Sequence, residues 1–198
     1  MRSRSILLVS ASPRRSDLLR LAGFEFAVRP VDIDETPRPG ESAGSLAERL
    51  ARSKALALKA APLPALAIAA DTVVAVAETV LGKPRDPEDA RRMLRLLAGR
   101  THDVTTGIAL RALPEETIVC ESTVSSVTFA PMSATEIDWY VATGEGMDKA
   151  GAYALQGIGA LFIESISGSY TNVIGLPLER LYPHFVRYGL LPAPSRRP

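Results

Sequence analysis

The sequence predicts an α/β fold with a mixed β-sheet flanked by helices, and three observations carry that prediction. Short apolar runs of strand length alternate with stretches whose apolar residues recur every three or four positions. The first of these runs passes into a helix with no linker between. Later, two long segments rich in β-branched residues follow one another across a tight polar turn.

Taken in order, residues 6–10 form a strand that starts with the apolar run 6–9. Ser12 is placed as an N-cap and Pro13 at the first helical position. Leu18, Leu19 and Leu21 give that helix, 13–22, an apolar side, and Gly23 ends it. Residues 24–30 form a second strand. Residues 31–41 are polar, with Pro37, Pro39 and Gly40, and form an irregular loop. A long helix runs from about Ser45 to Lys59, closed by Pro62 and Pro64. Residues 66–77 are almost continuously apolar and form a central strand. Asp86 caps a helix opened by Pro87, whose core row is Ala90, Met93, Leu94 and Leu97. Residues 101–112 and 117–129 pair as a hairpin around 113–116. Residues 133–143 are helical, the glycine-rich stretch 144–159 is loop, and 161–166 is a strand. Pro177 opens a last helix with Leu178, Leu181, Tyr182 and Phe185 on one face. The tail 192–198, with three prolines and two arginines, is expected to fray.

Composition narrows the class. A chain of 198 residues suits one domain, placed at 1–191, with ample core. Twenty-three basic and 22 acidic residues leave a formal charge of +1, which calls for neither nucleic acid nor an anionic membrane. Cys120 is the lone cysteine, so there is no internal disulfide, and two histidines give no basis for a Cys/His zinc site. The apolar run before Ser10 is too short for a signal peptide, and no stretch is long and apolar enough to span a membrane. A cytoplasmic protein is expected.

Several polar groups stand where a fold alone would not put them. Arg14 and Arg15 fall in the first turn of a helix, at the positive end of its dipole. With Ser10, Ser12 and the free N–H groups of that turn they suit a bound phosphate. Lys54 falls within the stripe Leu46, Leu50, Leu58; it either snorkels past the edge or points into an anion-holding cleft. Asp71 interrupts a buried strand, which costs several kcal/mol unless it is paired, metal-bound or open to a cleft. It is either half of a structural pair with an internal arginine or part of a site. Gly82-Lys83-Pro84 offers a second amine on a stiff loop. It is no Walker A loop, since Ala77 replaces the first glycine and Pro84 the Ser or Thr. Gly144-Glu145-Gly146 likewise lacks the third glycine of a dinucleotide fingerprint, Lys149 taking its place. Asp32, Asp34 and Glu35 form an acidic loop, solvated unless one member meets Asp71, where the two would suit Mg²⁺ or Mn²⁺. Asp86 is explained as a cap and His102 as a structural histidine.

The ordered set of these segments resembles the Maf-like nucleoside triphosphate pyrophosphatases. It comprises Ser10-Ala11-Ser12-Pro13-Arg14-Arg15, Asp34-Glu35, Lys54, Ala70-Asp71-Thr72 and Leu81-Gly82-Lys83-Pro84. Downstream come Asp148 to Tyr153, Gln156-Gly157, Gly168-Ser169-Tyr170 and Gly175-Leu176-Pro177. The match runs from about residue 6 to residue 182. The resemblance implies hydrolysis of a nucleoside triphosphate between its α- and β-phosphates with a divalent metal. It also implies a role in cleaning the nucleotide pool and a fold like that of the inosine triphosphate pyrophosphatases, an elongated mixed sheet in two lobes around a cleft. Pro13-Arg14, Thr72 and Gln156 fall with the branch acting on dTTP and UTP, not with the 7-methyl-GTP branch.

By that resemblance Asp71 is the catalytic acceptor, and Arg14, Thr72 and Gln156 set substrate choice. Arg14, Arg15, Lys54 and Lys83, with Ser12 at the helix start, are expected to hold the phosphates. Glu35 joins Asp71 as a metal ligand. A free aspartate, with a pKa of about 3.9, is a weak base, so metal assistance is favoured. The Gln156 amide can offer a donor and an acceptor to a pyrimidine edge. The expected partner is the triphosphate, with no membrane or nucleic acid; a homodimer is allowed for. The family's link to septum formation raises an alternative, a non-catalytic nucleotide-binding regulator of cell division, which would not need Asp71. A sugar-nucleotide transferase would want a glycine-rich first turn, and residues 10–15 have no glycine.

Overall fold

The computed structural model describes residues 4–59, 61 and 64–192. Pro62, one of the two expected helix stops, and residues 193–198 of the tail lie outside them. The expected α/β architecture is present. Strand β1 (Ser5–Leu8) runs into helix α1 (Pro13–Leu21), then β2 (Phe26–Val28) and helix α2 (Ala43–Ala57). Strand β3 (Ala65–Val76) turns back through β4 (Thr79–Leu81) and leads to α3 (Pro87–Leu97). Strands β5 (Thr101–Leu113) and β6 (Thr117–Phe129) follow, then helix α4 (Ala134–Ala142). The chain ends with β7 (Ile163–Ser167), α5 (Tyr170–Ile174) and α6 (Leu178–Arg187).

Among the described residues one seven-stranded sheet forms, in the order β2-β1-β3-β5-β6-β7, with β4 against the far end of β3. β1 is parallel to β2 and β3, and the rest of the sheet is antiparallel, so the sheet is mixed. β3 is central, as its apolar run predicts. Its alternation sorts residues between two faces. Leu66, Ile68 and Ala70 pack with Leu18, Leu19, Leu181 and Phe185 of α1 and α6. Ala65, Ala67 and Ala69 pack on the other face with Ala51 and Ala55 of α2. Alanine on both surfaces lets α2 lie close to the sheet. Gly107, paired with Asp71, allows the closest approach: a Cβ there would collide with the main-chain carbonyl of Ala47. Burying Leu46 and Leu50 beside this contact stabilises the packing by about 2 kcal/mol each.

The helix starts follow their caps. Ser42 caps α2, its hydroxyl accepting the Ser45 N–H, so the helix begins earlier than expected. Asp86 caps α3 as expected, and Ala90, Met93, Leu94 and Leu97 are all buried. Some expectations give way. Leu21 and Tyr182 are exposed, because the faces of α1 and α6 that meet the sheet are defined by Leu18 and Leu19 and by Leu181 and Phe185. The last strand starts two residues later than expected, since residues 158–162 close a short 3-10 turn. Short β4 and α5 fall in stretches where no element was expected. No helix among the described residues is long and apolar enough to cross a membrane.

Candidate active site

A cleft of about 620 Å³ opens beyond the end of β1, alongside the second half of β3 and between α1, α2 and the 148–156 loop. That size suits a small-molecule ligand. Ser12, Arg14, Arg15, Glu35, Lys54, Asp71, Thr72, Lys83 and Gln156 all line it. The sequence motifs, scattered over some 145 positions, therefore meet in one place.

Each is brought there by its element. Ser12 sits at the N-cap of α1 with extended backbone, and its side chain makes no capping bond. The N–H groups of that first turn are left uncapped by it, beside the cleft. Arg14 is partly exposed and reaches Asp148 across the cleft at 3.6 Å. Gly82, next to Lys83, accepts a hydrogen bond from the Gly151 N–H at 3.1 Å, tying the lysine loop to the far side.

Asp71 and Thr72 are neighbours on β3 and so face opposite sides of the sheet. On the α2 side, the Lys54 amine lies 2.6 Å from an Asp71 oxygen and 2.6 Å from a Glu35 oxygen. Lys54 thus does not snorkel to solvent but turns into the cleft, and Asp71 pairs with a lysine rather than an arginine. Burial acts to raise the Glu35 pKa, but Lys54, Lys83 and Arg15 outweigh it and hold the carboxyl below the usual range. The two carboxylates converge on the Lys54 amine. Magnesium-type ions take one or two carboxylates together with phosphate oxygens, so this pair fits such an ion. Among the described residues no group of three or more His, Cys, Asp or Glu side chains forms a fuller cage.

On the other side, Arg15 is buried and committed. Its Nε donates to the Gly175 carbonyl at 2.8 Å, Nη1 to Ala70 O at 2.8 Å and Ser10 Oγ at 3.1 Å, and Nη2 to Thr72 Oγ1 at 3.1 Å. Four of its five N–H donors are taken. Thr72 lies 2.9 Å from the Thr106 hydroxyl, which itself donates to the Asn172 carbonyl at 2.9 Å. The chain of hydroxyls therefore has a direction. Thr106 spends its proton on Asn172, so Thr72 donates to Thr106 and accepts from Arg15. An incoming group meets only a remaining lone pair on Thr72.

The motifs did not assign every residue here. Tyr153 lines the cleft with its hydroxyl 2.8 Å from His102 Nε2, which agrees with a structural histidine. Lys149 and Asp148 are also at the cleft, their side chains paired at 2.5 Å. The segment Asp148 to Tyr153 is part of the family's ordered set, but the sequence gives no role to its members.

Comparison with known proteins gives one consistent answer. The family model for Maf-like proteins matches residues 5–187. The chain is 48% identical over 191 residues to a dTTP/UTP pyrophosphatase of Myxococcus xanthus, covering 96% of this chain and 95% of that one. It is 49% identical over 186 residues to a dTTP/UTP pyrophosphatase of Geobacter sulfurreducens, covering 94% and 97% of the two chains. A protein of the same name from Symbiobacterium thermophilum is 48% identical over 184 residues, covering 93% and 94%. With a match of this length over the whole α/β sheet, the chain belongs to the Maf-like protein family.

Proposed function

We propose that this protein is a nucleoside triphosphate pyrophosphatase that hydrolyses dTTP and UTP to the monophosphate and pyrophosphate, cleaning the cytoplasmic nucleotide pool. The observation that carries the reading is the gathering of five cations, three carboxylates and Gln156 around one cleft. Relatives with closely similar sequences bear the corresponding name.

A triphosphate brings about four negative charges, which repel a nucleophile unless they are neutralised. Arg14, Lys83 and the first-turn N–H groups of α1 bind those charges. Lys54 exchanges a carboxylate partner for a phosphate oxygen as substrate enters. Asp71 accepts the proton of the attacking water. A divalent ion, Mg²⁺ or Mn²⁺, held by Asp71 and Glu35, supplies Lewis acidity and charge neutralisation when bound. Gln156 and Thr72 read the base. A hydroxyl that can only accept suits the ring N–H that thymine and uracil carry at N3, where cytosine has an acceptor instead.

The test is pyrophosphate release from a panel of triphosphates with added Mg²⁺ or Mn²⁺, with products separated by chromatography. Expected are fast turnover of dTTP and UTP, slow turnover of dCTP and GTP, and pyrophosphate as the second product. Equal rates on dTTP and GTP would remove the substrate assignment. Appearance of diphosphate and inorganic phosphate would remove the reaction.

A further inference from the structure

Gln156 is exposed on a loop, so its aim depends on what holds the backbone either side of it. Both flanks are tied to one unit. The Glu145 carboxylate accepts from the Ile158 N–H at 2.7 Å and the Gly159 N–H at 2.9 Å. The same carboxylate accepts from the Tyr140 hydroxyl at 2.8 Å, and that hydroxyl accepts the Ala154 N–H at 3.2 Å. Tyr140 is buried in the core of α4 and its neighbours. Between the two ties, Gly157 adopts φ 146°, a conformation that side chains rarely take. A Cβ on Gly157 would run into the Glu145 carboxylate, so the acid packs directly under the residue that follows Gln156. Burial acts to raise the Glu145 pKa, but the Gly159 N–H, the Tyr140 hydroxyl and the Ile158 N–H outweigh it, and the group stays ionised at neutral pH.

We propose that Glu145, braced by Tyr140, is a positioning residue that sets base selectivity by fixing the loop that presents Gln156 to the nucleobase. The proposal rests on the reading above, in which Gln156 meets the base. Glu145 touches no reacting atom. It acts as an internal anion that gathers the loop's amides, as a helix N-terminus gathers a bound one. Its loss costs selectivity because a contact displaced by about 1 Å loses most of its value.

The experiment compares Glu145→Gln, Tyr140→Phe, Gln156→Ala and the double variant Glu145→Gln/Gln156→Ala. Each is assayed for kcat and KM with dTTP, UTP and GTP, and for amide hydrogen exchange at Ile158 and Gly159. Gln replaces one acceptor oxygen with an NH₂ that faces an N–H donor, so it cannot close both bonds. Expected is a fall of about tenfold in the dTTP-to-GTP ratio of kcat/KM, carried by KM, with faster exchange at both amides. The double variant should be no less selective than Gln156→Ala, since both changes act through one contact. If Gln156→Ala loses selectivity while Glu145→Gln keeps it, the proposal is overturned and the role of Gln156 stands. If Gln156→Ala keeps selectivity, the role of Gln156 falls, and the proposal with it. Should Glu145→Gln fail to fold, Tyr140→Phe decides alone, because the ring still fills the core and only the hydroxyl brace is lost.

Discussion

Two neighbouring residues of one strand meet opposite treatment. On the α2 side, Asp71 has a flexible partner, Lys54, which is shared with Glu35 from a loop. On the α1 side, Thr72 is held by Arg15 and Thr106 in a network that reaches Asn172 with nearly every donor spent. In the function proposed above, the first arrangement is the one that exchanges partners for phosphates or a metal. The second does not, and serves as a fixed wall. The difference teaches that a buried charge says little by itself: what decides between chemistry and scaffold is whether its partners are replaceable.

The sharpest way to break the comparison is Asp71→Asn. It keeps shape and removes charge, so turnover should fall by about 10²–10⁴-fold while the thermal midpoint stays near that of the parent. Near-normal turnover would remove Asp71 from the chemistry. Arg15→Met probes the fixed wall. It leaves buried acceptors at Ala70 and Gly175 without donors and should cost about 3 kcal/mol or more, read from the urea midpoint. Arg14→Met should instead weaken triphosphate binding with little change in stability. If Arg15→Met proved as stable as the parent and lost only binding, Arg15 would belong with the exchangeable side.

His102 extends the fixed wall behind Tyr153. Burial pushes its pKa from the ordinary 6.5 down to about 4, against a small opposing pull from Asp103. Above pH 6.5 it is neutral folded and unfolded. As pH falls, the unfolded chain takes the proton first, so stability is lost from about pH 6.5 and the loss levels off below about 4. The total is about 3 kcal/mol, and His102→Gln should flatten denaturation midpoints over that window. The smallest effect is expected at Lys54→Met. Activity should fall about tenfold and stability by about 1 kcal/mol: methionine fills the same apolar stripe, but Asp71 loses the amine that pairs with it at the edge of an open cleft.

Much of this was legible in the sequence. Helices and long strands announce themselves by period, and Arg14, Arg15, Lys54 and Asp71 stood out because each breaks a local rule. The commitment of Arg15 was not legible. Its acceptors at Ala70 and Gly175 lie 55 and 160 residues away, and only the folded chain brings them in. Strand β4 has three residues, too few to show alternation. Helix α5 is little more than a turn, held by Ser169 capping Asn172 and by the burial of Asn172, neither of which leaves a periodic trace. The exposure of Leu21 and Tyr182 has the same origin: an apolar residue beside a helix's buried face is not distinguished by spacing alone.

Gly107 bears on how such a protein can change over generations. It faces Asp71 across the ladder and lies under Ala47, two helical turns before Lys54. Any missense change there adds a side chain, and the first atom of that side chain already strikes the backbone of α2. No graded series of replacements exists, so drift cannot adjust the depth of the helix, and with it the reach of Lys54, in small steps. In the loop around Gln156, Gly157, whose Cβ would strike the Glu145 carboxylate, is under a like restriction; the exposed side chains of Gln156 and Ala160 are not. Inherited variation is therefore channelled: an exposed side chain such as that of Gln156 can be exchanged step by step, while the spacing of Lys54 and Asp71 is passed on unaltered or lost.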